Sequence, residues 1–149
     1  MPVRELYGGA MSMEIPTGMV DISDFREVPD NQEVFANAST DQSIIIEILE
    51  SVTQQKEEAI KYHFEQISES NDSSDDEIIR IEQDATTDAA SETYTLVGRQ
   101  AVAKFNEKSK GAVNGVCILM ALLRIPQHMA DILITMNAPY QISENSSSF

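Results

Sequence analysis

The stretch Val116-Cys-Ile-Leu-Met-Ala-Leu-Leu123 is apolar at every position, with Gly115 before it and Arg124 after it. Eight residues are far too few for a spanning helix, which needs roughly 20. Flanked by polar Asn106-Glu-Lys-Ser-Lys-Gly111 and by Pro126-Gln-His128, it reads as a strand over Val113 to Ile125. An unbroken apolar strand must bury both faces. Working outward, Thr93 to Phe105 and Ala130 to Met136 are β-rich partners on either side, and Ile78 to Glu82 lies further upstream. Asn106 to Gly111 is then a hairpin loop. Consecutive strands on short links predict an antiparallel meander.

One helix stands before that meander. Ala59, Ile60, His63, Phe64 and Ile67 recur at helical spacing, and Ser51-Val-Thr-Gln54 has the form of a capping box. The stripe predicts about four turns ending before Ser68, followed by the acidic loop Ser68 to Asp76. Ser43-Ile-Ile-Ile-Glu-Ile-Leu-Glu50 fits two readings. Three successive β-branched residues favour a strand, whereas a helix would put Glu47 and Glu50 on one side; the strand is preferred. Leu6 to Met11 reads as two short strands about a Gly-Gly turn, broken by Ile15 to Met19. Asp21 or Ser23 caps a short helical turn running to Arg26; Pro29 to Asn31 is a turn, and Gln32 to Ala36 a strand. The fold class expected is α+β. One helix covers one face of Val116 to Leu123, so something else must cover the second.

At 149 residues and 42% apolar, the chain suits one domain with one core. Its N-terminus has no basic-then-apolar stretch, which predicts no signal peptide, and the lone Cys117 suits a reducing compartment. Net charge is −15, and residues 1–100 hold 22 of the 25 acids. Such a surface repels nucleic acid and anionic lipid and attracts basic protein surfaces, although a plain solvated face has the same composition.

Catalytic and metal motifs are not legible. His63 lies on the helix stripe and His128 in a turn, neither at metal-ligand spacing from Cys117, which reads as an inert core thiol. Gly8-Gly9 has no phosphate-loop lysine, and Asp72 to Glu77 lacks the central glycine of a calcium hand. No cofactor is expected. What remains is Asp21 to Glu33, with acids at 21, 24, 27, 30 and 33 around Arg26. Oriented carboxylates on a loop accept lysine and arginine from a partner. Helix-capping acids in an exposed turn look the same, and the residues alone leave the two even.

Specific segments carry more. Leu6-Tyr-Gly-Gly-Ala10, Asp21-Ile-Ser-Asp-Phe-Arg-Glu-Val-Pro-Asp-Asn-Gln-Glu-Val-Phe35 and Asp41-Gln-Ser-Ile-Ile-Ile-Glu-Ile-Leu-Glu50 closely resemble the Ran guanine nucleotide release factor family. So do Tyr62-His-Phe-Glu65, Ala121-Leu-Leu-Arg-Ile-Pro-Gln127 and Asp131-Ile-Leu-Ile-Thr135. The resemblance runs from Leu6 to Pro139 and implies a PsbP-like fold, a central antiparallel sheet flanked by helices. It implies a non-catalytic regulator that binds the GTPase Ran and promotes nucleotide release in nucleocytoplasmic transport, in nucleus and cytoplasm. For some members it also implies delivery of a sodium channel subunit to the cell surface, an adaptor role and the alternative function. By motif, the Ran-binding patch maps onto Asp21, Arg26, Asp30, Gln32, Glu33, Glu47 and Glu50. Members usually continue past the Ile132 to Met136 strand into a further helix, whereas this sequence runs to Phe149. The resemblance thus implies one domain over 1–139 and a polar tail over 140–149. It also implies a sheet face open to self-association if the helix is missing.

Overall fold

The computed structural model describes residues 3–37, 39–71, 73, 76–84, 92–103 and 113–141. Seven antiparallel strands form one sheet, in the order β3 (Val20–Asp21), β4 (Gln32–Asn37), β5 (Gln42–Glu50), β9 (Ala130–Gln141), β8 (Val113–Ile125), β7 (Glu92–Ala103) and β6 (Glu77–Asp84). β1 (Val3–Leu6) and β2 (Met11–Glu14) make a separate antiparallel hairpin. The helix α1 (Glu57–Ser70) links β5 to the far edge strand β6. The predicted meander is thus β6 to β9, and β3 to β5 form a second one joined to it along β9. The loop expected at Asn106 to Gly111 and the tail beyond Gln141 lie outside the described residues.

Side chains alternate across each strand, so every strand contributes to two layers. On one face Ala59, Ile60 and Phe64 of α1 pack on Tyr94, Leu96, Val116, Ile118, Met120, Leu122 and Leu133. Phe64 explains the glycine opposite it: a Cβ at Gly98 would lie 2.6 Å from the Phe64 ring and 2.9 Å from the Glu77 carbonyl oxygen. On the other face the hairpin and the 15–19 segment after it cover β4, β5 and β9, with Leu6, Ile15 and Met19 against Phe35, Ile44 and Ile46.

The second cover that the apolar strand β8 called for is not found among the described residues, because the hairpin packs on β4, β5 and β9 and not on β8. Leu119, facing away from α1 on β8, stays 38% exposed. Cys117 shares that face and is half-buried, so it is not the core thiol expected.

Two details of the helix differ from the sequence reading. It ends at Ser70, beyond the expected stop before Ser68, and its N-cap is Lys56 with no side-chain cap. Ser51 is not a helix cap, because its hydroxyl donates to Asp131 at 3.2 Å and its N–H to the Met129 carbonyl at 3.0 Å. A residue 80 positions away has taken the group that a local motif would use.

Candidate functional site

The carboxylates singled out from the sequence gather at one end of the sheet, where β4 begins. The chain enters through a 3-10 turn (Ile22–Asp24) whose N-cap is Asp21; its Oδ1 accepts from Ser23 N at 2.9 Å and Ser23 Oγ at 2.7 Å. The alternative reading of this acid as a capping residue therefore holds for Asp21. Arg26 closes the turn, donating its N–H to the Ile22 carbonyl at 3.1 Å. Arg26, Glu27 and Asp30 then line a shallow surface cleft with Ser23, Val28 and Pro29. Phe25 stands 74% exposed in the same turn.

Asp30 is exposed in the turn before β4, which Gln32 N closes onto the Pro29 carbonyl at 2.9 Å. Gln32 pairs with Glu47 across β4 and β5, its Nε2 donating to Glu47 Oε2 at 3.0 Å. Glu33 points to the opposite, hairpin face and accepts from the Tyr7 N–H at 2.7 Å. Asp30, Gln32, Glu33 and Glu47 are thus brought together around one strand end. Glu50, three residues on from Glu47 along β5, lies by strand alternation on the hairpin face that Glu33 also occupies.

Tyr7 went unremarked in the sequence beyond its place in the Leu6 to Ala10 segment. Its backbone is left-handed at φ 52°, a costly conformation for an aromatic residue, and Gly8 and Gly9 continue at 69° and 99°. Burial, with Glu33 and Glu47 close by, pushes its hydroxyl up to about 12. The group stays protonated and remains a donor.

A second polar cluster lies at the same sheet end, under the segment between β5 and α1. Asp131 is fully buried, yet Arg124 Nε lies 3.2 Å from its Oδ1 and Val52 N–H donates to Oδ2 at 3.2 Å. The Arg124 terminal nitrogens donate to the carbonyls of Val52 and Gln54, both at 2.7 Å. His63 Nε2 is buried 3.9 Å from Asp131 Oδ2, beyond hydrogen-bond distance, and has no hydrogen-bond partner among the described residues. The Ser51 hydroxyl is spent on Asp131, so these groups form a clamp on the 51–56 segment and lack the order of an activated nucleophile. Among the described residues no cluster of three or more His, Cys, Asp or Glu could hold a metal.

Burial alone would raise the Asp131 carboxyl, but His63, the Val52 N–H and Arg124 together hold it below the ordinary carboxylate range. A carboxyl that is more acidic folded than unfolded stabilises the fold above its unfolded value of about 3.9. That contribution is lost as pH falls through the lower folded value. Urea titrations at a series of pH values should therefore show stability dropping below about pH 4, with a shallower slope in Asp131→Asn.

Fold and site together define a class: an open antiparallel α+β sheet crossed by one helix, with carboxylates collected at one end. The chain matches the Ran-interacting Mog1 protein family over residues 4–139. It is 44% identical to the Danio rerio Ran guanine nucleotide release factor over 153 residues, covering 97% of this chain and 82% of that protein. It is 33% identical to the Saccharomyces cerevisiae nuclear import protein MOG1 over 157 residues, covering 97% of this chain and 69% of the relative. The crystal structure of the Saccharomyces cerevisiae Ran-binding protein Mog1p matches with a TM-score of 0.74 at 30% identity, covering 94% of this chain and 77% of that one. The chain belongs to the Mog1 family.

Proposed function

We propose that this protein binds the small GTPase Ran through the carboxylates where β4 begins, and promotes release of its guanine nucleotide. It would act as a regulator of nucleocytoplasmic transport, in nucleus and cytoplasm, and not as an enzyme. The observation that carries the reading is the convergence of Asp30, Gln32, Glu33 and Glu47 on one strand end, beside Asp21 and Arg26. Relatives named for Ran interaction and nucleotide release support the choice of partner.

Clustered carboxylates suit lysines and arginines of a partner, and they speed encounter as well as holding it. Exposed Phe25 adds an apolar anchor of the type that dominates binding energy. By engaging basic groups near the nucleotide, the carboxylates would stabilise a form of Ran that holds it poorly. Linkage then requires bound nucleotide to weaken binding of this protein by the same factor.

Charge reversal tests the site. Glu47→Lys and Asp30→Lys should each weaken capture of Ran by at least about tenfold, since like charges at an interface are strongly unfavourable. Nucleotide release should slow in parallel. Wild-type capture by both variants would sink the reading.

A further inference from the structure

Tyr7 sits at the tip of the β1–β2 hairpin and reaches three points of the sheet. Its N–H donates to Glu33 Oε1 at 2.7 Å. Its hydroxyl lies 2.9 Å from the Asn31 carbonyl oxygen and 2.8 Å from that of Ile46, so one proton is shared between two acceptors. Asn31 is itself tied to β5, its carbonyl accepting from Ile48 N at 2.9 Å and its Nδ2 donating to the Ile48 carbonyl at 3.2 Å.

These anchor points are placed with respect to the carboxylates in a particular way. Asp30 and Gln32 flank Asn31, Glu33 is held directly, and Glu47 follows Ile46. Four groups of the proposed Ran site thus lie within one residue of an atom that Tyr7 bonds. The backbone at Tyr7 is left-handed, and such conformations persist where the surroundings hold them in place.

We infer that Tyr7 is the positioning residue of this carboxylate edge, fixing the spacing of Asp30, Gln32, Glu33 and Glu47 for a basic partner surface without contacting it. The inference rests on the reading of that edge as the Ran-binding site. Without the hydroxyl, the turn before β4 and the Ile46 segment of β5 lose their common tether. The acids remain but no longer hold a fixed spacing, and affinity that depends on preorganisation falls.

The test is a double-mutant cycle on the full chain, reading Ran affinity by calorimetric titration. Tyr7→Phe should bind Ran about fivefold more weakly, the factor a net hydrogen bond ordinarily carries. Glu47→Gln should cost less in the Tyr7→Phe background than alone, because the two act on one contact. Additive losses would mean that the hydroxyl serves the fold in general, and would overturn the inference. So would wild-type affinity in Tyr7→Phe while Glu47→Lys and Asp30→Lys lose Ran, which leaves the site reading standing. If those reversals also bind normally, the site reading falls and takes this inference with it. Should Tyr7→Phe fail to fold, the parent protein gives the answer by amide chemical shifts. On titration with Ran the Tyr7 N–H must move together with those of Asn31 and Gln32, and a stationary Tyr7 amide overturns the inference.

Discussion

Replacing Asp131 by alanine lowers the free energy of unfolding by about 3–5 kcal/mol, the usual cost of removing one partner from a buried ion pair. The carboxylate is fully buried and receives Arg124, Ser51 and the Val52 N–H. Taking it away leaves the Arg124 side chain, only 13% exposed, without its counter-charge. It also frees the 51–56 segment at one end, although the two carbonyl contacts of Arg124 remain. Asp131→Ala combined with Arg124→Met should be less damaging than the sum of the single changes, since no lone charge is then buried. Urea unfolding followed by circular dichroism measures all three. Losses that simply add would show that the clamp is a set of independent contacts.

Gly98→Val should cost about 3 kcal/mol, the upper end of the ordinary penalty for overpacking a core. The reason is room and not backbone conformation. Even a methyl group would stand 2.6 Å from the Phe64 ring and 2.9 Å from a backbone oxygen of the neighbouring strand. The strand register also shifts between Ile78 and Arg80, opposite Gly98 and Val97, so the β6 backbone is already distorted at this point. The ring can yield, but the Glu77 carbonyl has little freedom to. Gly98→Ala paired with Phe64→Leu should therefore recover only part of the loss seen in Gly98→Ala alone. Thermal melting of the three variants decides it, and full recovery would place the whole clash on the ring.

Much of this architecture was legible because it is written locally. Val113 to Ile125 occupies the residues that its apolar run and flanking turns predicted. The strand choice for Ser43 to Glu50 holds, with Ile44 and Ile46 buried and Glu47 partly exposed on the other face. That choice already parted Glu47 from Glu50, whereas the residue-by-residue resemblance carried both into one patch. What escaped is non-local. The Ser51 hydroxyl serves Asp131 across the sheet, so a sequence window around the helix start finds a cap that is not made. The hairpin's packing on β5 and β9 depends on strand order, on which the alternation within each strand is silent. Asp131 and Arg124 did leave a signal, as single charges next to apolar strand residues, and a search for such charges would have found the clamp. Tyr7 left none beyond a tyrosine beside two glycines.

The ladder between β5 and β9 has a consequence for the order in which this sheet comes together. It joins the meander before the helix to the meander after it, pairing residues as far apart as Ser43 and Asn137, 94 positions along the chain. Each meander closes across short separations, but the join must first bear the entropy of a much longer loop. Contact order therefore predicts that the β5–β9 join closes after the two meanders do. Until it happens, β5 and β9 each present an unpaired edge with isoleucines along it, a template for pairing between chains. The Asp131 clamp, which forms at that seam, is then also a latch that keeps those edges from reopening once they have paired.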